Sequence, residues 1–315
     1  GEDHWCQLFS EPGSGSDLAG ATTRADLQGD EWIINGQKVW NTSAHHAHFG
    51  LLLARSDWDE AKHKGLSYFI LDMHQPGVEV RQLKQMNGHA SFNEVFFTDA
   101  RVPRANILGQ PGDGWQIAMT TLAYERRSFD RPRNPAAKAA SSAPIYQQYQ
   151  QELEIANEPY KWYPQRAGRV DLVLQRAKET EAINDPVVRQ DIARLHILAQ
   201  SAQWTAQRAR AAQKAGKPQG PEGSLGKLAA SNIGRLAAQV HTHISANDAL
   251  LTGSDSAMEG TIAEVLVSTP AGSIAGGTDE IQRNIIAERV LGLPKEPRFD
   301  GGPFRDVRRN TSKEP

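Results

Sequence analysis

One cysteine, Cys6, stands in 315 residues, so no internal disulfide framework can be drawn. Cys and His pairs at zinc spacing are lacking too, which removes the usual structural metal sites. Uninterrupted apolar runs are short, as at 51–54 and 69–71, whereas a helix needs about 20 apolar residues to cross a bilayer. Neither sign of charge dominates. The 35 Lys and Arg face 37 Asp and Glu for a net charge of −2, which gives no electrostatic ground to expect nucleic acid or an anionic membrane. The chain opens Gly1-Glu2-Asp3-His4-Trp5, without an initiator Met or a basic-then-apolar leader. This reads as an entry partway into a longer protein, and the lone cysteine fits a reducing, cytoplasmic setting.

What is present divides near residue 110. At ~100 to 200 residues per domain the length suggests about two domains. The first stretch reads as β: apolar runs at 32–34 and 39–40 flank Asn35-Gly36, a dipeptide suited to a tight hairpin turn. Further strand-like runs lie at 51–54, 66–72, 78–83 and 92–98, each bounded by Gly, Pro, Asn or Asp. After the Gly/Pro-rich loop at 109–114 the period changes, with Trp115, Ile117, Ala118, Leu122 and Ala123 at helical spacing. Long helices are predicted over 186–215, entered through Asp185 as a cap, and over 224–251, with shorter ones over 257–268 and 278–291. The reading is an α+β chain. A β-barrel or sandwich domain over 1–111 precedes a C-terminal helical bundle domain over 112–293, which carries an irregular insertion at about 130–165. An extended, weakly ordered tail over 294–315 follows.

Three segments carry candidate chemistry. Ser10-Glu11-Pro12-Gly13-Ser14-Gly15-Ser16-Asp17 is a strand end running into a Pro/Gly turn with small hydroxyls, where backbone N–H groups and serines can approach a ligand closely or simply make a turn. In Asn35-Gly36-Gln37-Lys38-Val39-Trp40-Asn41-Thr42-Ser43, Trp40 and Thr42 stand two apart, so on a strand they share one face as a flat apolar plate and a hydroxyl. Gly276-Gly277-Thr278-Asp279-Glu280-Ile281-Gln282-Arg283 opens a helix with Thr278 as N-cap and acids in its first turn; it serves a ligand or caps a surface helix. His45, His46 and His48 lack nearby carboxylate or thiolate partners and read as a solvent-facing cluster, with no metal expected.

In order and spacing, these three segments resemble the acyl-CoA dehydrogenase family from Trp5 to about residue 293, without the family's N-terminal helical domain. The resemblance implies FAD as cofactor, an acyl-CoA thioester as substrate and an electron-transfer flavoprotein as acceptor. It implies that Phe9 and Ser10 hydrogen-bond the flavin ring, that Trp40 and Thr42 lie against it, and that Ser16 sits between flavin and CoA. Gly277, Thr278 and Glu280 would meet the adenosine half of FAD, and the Gly276 backbone N–H the thioester oxygen. Many relatives carry the catalytic base where this chain has Gly276, which has no side chain to accept a proton. A branch resembling isovaleryl-CoA dehydrogenase supplies it from a Glu-Arg pair on the first helix of the C-terminal domain, which points to Glu125 as general base and Arg126 near the CoA. The family's Arg-x-x-Phe-Gly segment is lacking, which leaves a homo- or hetero-oligomer open. The resemblance thus implies dehydrogenation to a trans-2-enoyl-CoA. The alternatives are a partner subunit without turnover, or a flavin oxidase or monooxygenase on the same fold.

Overall fold

The computed structural model describes residues 2–130, 144–157, 168–217, 220–297 and 300–307. Most of the expected 130–165 insertion lies outside these residues. The chain forms two compact units, one of residues 1–125 with 296–315 and the other of residues 126–295.

In the first unit eight strands build one mixed sheet: β1 (Trp5–Leu8), β2 (Arg24–Gln28), β3 (Glu31–Val39), β4 (Phe49–Arg55), β5 (Leu66–Asp72), β6 (Val78–Leu83), β7 (Phe92–Pro103) and β8 (Ile107–Leu108). The order is β6-β7-β3-β2-β4-β5-β8, with β1 parallel to β4. Alternation places Trp32, Ile34, Leu52, Phe69, Val95 and Phe97 in one core. β5 is buried on both faces. Its Leu66 and Tyr68 turn to a second core shared with Phe9, Leu53 and Ala118, the last from helix α1 (Gly114–Asp130). Gly114 permits that docking, since a Cβ there would lie 2.6 Å from the Ser67 backbone. The Tyr68 and Thr121 hydroxyls, 3.1 Å apart, hold the next turn.

Asn35-Gly36 is not the hairpin turn that its dipeptide suggests. β3 runs straight through it, and the turn is Gly29-Asp30, joining the paired residues Gln28 and Glu31. Between Ile34↔Ala100 and Gly36↔Phe97, Asn35 opposes the two residues Thr98 and Asp99, a bulge in β7. Asn35 accepts from the Asp99 N–H at 2.9 Å and donates to the Asp99 carboxylate at 2.9 Å. The residue that favours turns therefore serves a kink in the neighbouring strand.

The second unit is helical: α2 (Pro144–Asn157), α3 (Val170–Glu179), α4 (Pro186–Lys214), α5 (Glu222–Ser245), α6 (Thr261–Ser268) and α7 (Asp279–Arg289). Val173 and Ala177 of α3, Val188 and Leu195 of α4, and Leu236, Val240 and Ile244 of α5 form its core. α4 starts where predicted, with Asp185 Oδ1 accepting from the Val187 N–H at 2.7 Å and Pro186 in the first turn. Replacing Asp185 with Ala is expected to cost about 1 kcal/mol in denaturant unfolding, the usual worth of such a cap. α5 stops at Ser245, short of the predicted 251, because Ala246 turns left-handed at φ 47°. α6 starts late for the same reason: Met258, Glu259 and Gly260 all have positive φ.

The tail also differs from the extended segment predicted. Phe304 is 1% exposed, Pro303 pairs with Ala61 in an isolated bridge, and Phe304 and Arg305 donate their N–H groups to the carbonyls of Glu60 and Trp58. Apolar burial of one aromatic fastens a segment whose composition is otherwise polar. Among the described residues no helix is long and apolar enough to cross a membrane.

Candidate active site

A cleft of about 460 Å³ opens in the first unit where β1 and β3 end, within the range of small-molecule sites. Phe9, Ser10, Trp40, Thr42 and Glu125 all line it, together with Gln7, Asn41 and Cys6. Five of the residues that resemblance singles out are therefore brought together.

The walls are pinned by a buried ion pair. Lys38 Nζ lies 2.8 Å from Glu11 Oε1 and 2.9 Å from the Phe9 carbonyl, so the first two motifs are stapled side chain to main chain. The other Glu11 contacts are the Thr22 N–H (2.7 Å), the Thr22 hydroxyl (2.9 Å) and the Thr23 N–H (2.8 Å). Burial alone would raise the Glu11 carboxyl. The Lys38 charge and these donated bonds outweigh it and hold the group at about 2. Next along β3, the Val39 N–H donates to Ser10 O at 2.9 Å.

Trp40 and Thr42 do not share the face of a strand, as their spacing suggests. β3 ends at Val39, and Trp40 takes φ 64°, a genuine outlier for a bulky residue. Asn41 explains the break: it is buried, its Nδ2 donates to Gln7 O at 2.7 Å, and its own carbonyl accepts from Asn93 Nδ2 at 2.8 Å. Turning Asn41 inward sends Trp40 outward, where the residue is 59% exposed and its indole meets Phe92 edge to face at 6.0 Å. Both side chains still line the cleft.

Glu125 lies ~3 turns into α1. Its Oε2 is 3.5 Å from Gln7 Nε2 on β1. Among the described lining residues it alone carries a carboxylate. Cys6 supplies no thiolate, because burial pushes its thiol up to about 12. Ser16 is exposed on the turn after Ser14 and does not line the cleft. The Arg126 side chain lies outside what the structure describes.

The third motif belongs to the second unit. Gly276 and Gly277 take φ 66° and 87°, and Thr278 caps α7 through its hydroxyl, which accepts from the Ile281 N–H at 3.3 Å. Glu280, whose side chain is 76% exposed, pairs with Arg283. The residues that hold this turn are ones that motif reading passes over. Asp279 is buried and accepts from Ser231 Oγ at 2.9 Å and Arg235 Nη2 at 3.2 Å. The Gln282 amide donates to the carbonyls of Gly276 and Gly277 at 3.3 and 3.2 Å. The position of Asp279 in the first turn signals only an answer to the helix dipole; its partners on α5 are far away in sequence.

A mixed-sheet unit, a helical unit and these motifs define a dehydrogenase of the acyl-CoA type. Residues 6–100 match the acyl-CoA dehydrogenase middle domain and residues 166–291 the C-terminal domain, and the chain belongs to this family of flavoprotein oxidoreductases. It is 37% identical over 298 residues to acyl-CoA dehydrogenase IpdE1 of Mycobacterium tuberculosis, covering 93% of this chain and 67% of that protein. The chain thus spans about two thirds of that relative's length. Among solved structures it resembles the Tcur3481-Tcur3483 steroid ACAD, with a TM-score of 0.74 and 22% identity over 93% of this chain and 68% of that one. It also resembles the ChsE4-ChsE5 complex from Mycobacterium tuberculosis, with a TM-score of 0.69 and 24% identity over 94% and 70%. At those identities the two structures support the fold alone.

Proposed function

We propose that the chain carries an FAD-dependent acyl-CoA dehydrogenation in which Glu125 takes the α proton of a bound thioester and a trans-2-enoyl-CoA is formed. The observation that carries this reading is the Glu125 carboxylate in a cleft walled by Trp40, Thr42, Phe9 and Ser10. These residues suit a flavin ring: an open indole face for stacking, two hydroxyls for its polar edge, and a rigid wall kept in place by the Lys38 and Glu11 pair. Bound FAD supplies the acceptor for the hydride that leaves the β carbon. Glu125 removes the proton, and Gln7 steadies its carboxylate.

From the family pattern we assign Ser16 to the junction of flavin and CoA, Arg126 to the CoA, and Gly277, Thr278 and Glu280 to the adenosine half of FAD. The Gly276 N–H is assigned to the thioester oxygen, a role that needs no side chain. Electrons would pass to an electron-transfer flavoprotein in the cytoplasm. The likeness to the steroid ACAD makes a steroid-derived thioester a substrate class to test beside straight and branched ones.

A second reading is a subunit that completes a partner's site without turning over. It is favoured by solved neighbours that are two-component complexes and by exposed side chains such as Ile197 and Trp204 on α4. Mixing the protein with FAD and the thioester panel without oxygen separates the two. Bleaching of the flavin's visible band by one class is the expected result. Bound flavin that never bleaches would make the second reading the correct one.

A further inference from the structure

The first motif is braced from behind by the C-terminal segment along two routes. In the first, the buried Arg55 guanidinium donates to the carbonyls of Ala21 (3.0 Å), Ala19 (2.6 Å) and Lys62 (3.1 Å). One face of that guanidinium is covered by the Phe304 ring, 3.3 Å from Cζ to the ring centroid. A desolvated cation over an aromatic face is held by the ring quadrupole, and removing the ring would admit water to the charge. In the second route, Lys62 Nζ lies between Asp17 Oδ2 at 2.7 Å and Asp300 Oδ2 at 3.3 Å. Asp17 closes the turn itself, its carbonyl accepting from the Ser14 hydroxyl at 2.5 Å and the Gly20 N–H at 2.9 Å. Gly20 leaves room for the Asp17 carboxylate, which a Cβ there would meet at 2.7 Å.

Both routes start on the tail and end on residues 14–21. The loop between them, 57–65, is gripped by main-chain bonds from Phe304 and Arg305 and by the Arg305 ion pair with Asp59. We propose that residues 300–307 are a strap that positions the Ser14–Ala21 turn for ligand, with Phe304 and Asp300 as positioning residues. The ligand part of this inference rests on the FAD reading above, since Ser16 stands in that turn.

The test uses the full chain and two variants. Phe304→Ala empties the seat beneath Arg55, and Asp300→Lys sets a cation against Lys62 from a half-buried strap position. Amide exchange read by mass spectrometry over 18–22, where Gly20 and Ala21 are bonded to Asp17 and Leu18, is expected to speed up about tenfold in both. Exchange over β6 and β7 should stay unchanged, and Phe304→Tyr should restore protection. The Kd of FAD, followed by flavin fluorescence, is expected to rise about tenfold in the same two variants, as for one lost charge-assisted contact. Unchanged exchange over 18–22 in both variants overturns the strap, and faster exchange with an unaltered Kd overturns its positioning role. If Phe304→Ala does not fold, Asp300→Lys decides alone. If the wild-type chain binds no FAD, the functional reading fails, while the exchange measurement still decides whether the strap holds the turn.

Discussion

Glu125→Gln is expected to leave FAD and thioester bound and to slow flavin reduction by about 10² to 10⁴-fold, the usual share of a positioned general base. The substitution keeps the size of the side chain and its contact with the Gln7 amide, but an amide cannot accept the α proton. Among the described lining residues nothing else can replace it. Cys6 stays protonated at neutral pH with its thiol near 12, and the lining hydroxyls of Ser10, Thr42 and Ser43 are too weakly basic. Gly276, where many relatives place the base, has no side chain. Glu125→Asp should recover part of the rate, since it restores a carboxylate one methylene short of its place. Anaerobic stopped-flow of the visible flavin band, with the thioester that bleaches the wild type, measures all three proteins. A Glu125→Gln rate within tenfold of wild type would remove Glu125 from the role, and flavin loss would be read separately from the spectrum before mixing.

Legibility from sequence followed how local each determinant is. The caps Asp185 and Thr278 act within three residues of themselves, and α4 and α7 begin where they predict. The strands over 66–72 and 78–83 are equally readable, because an apolar, β-branched or aromatic run and its flanking turn residues are properties of the segment itself. Asn35-Gly36 misled because the same dipeptide suits a hairpin and a bulge, and the choice belongs to Asp99 on another strand. Trp40 and Thr42 are at the cleft, but Asn41, drawn inward by Gln7 and Asn93, sets their geometry. The seat of Phe304 was invisible for a related reason: a Gly/Pro-rich charged tail reads as unpacked until Arg55 and Trp58 are known to lie beneath it. Motif residues were legible as a set, and the side chains that hold the motifs were not.

Among those holding side chains, Glu11 and Lys38 are expected to show the largest stability effect. Glu11→Gln leaves the Lys38 ammonium fully buried without its counter-charge, and breaking such a pair from one side costs about 3 to 5 kcal/mol. At ~2 to 4 °C per kcal/mol for a domain of this size, the unfolding midpoint should fall by about 10 °C. Lys38→Met should cost less, because the Glu11 carboxylate keeps its three bonds from Thr22 and Thr23. The double variant should then recover part of the Glu11→Gln loss, a coupling that a thermodynamic cycle reads directly. Acid gives an independent check. The folded Glu11 sits at about 2 against an ordinary 4.5, so the folded state prefers the carboxylate. Its contribution, about 3 kcal/mol at 1.36 kcal/mol per unit, is full above pH 4.5 and is lost as pH falls through 2. The gap between wild type and Glu11→Gln should therefore narrow from pH 5 down to pH 2 in urea unfolding. A gap that stays constant over that range would mean that Glu11 contributes through packing and neutral hydrogen bonds, and that the two motifs are not joined by charge.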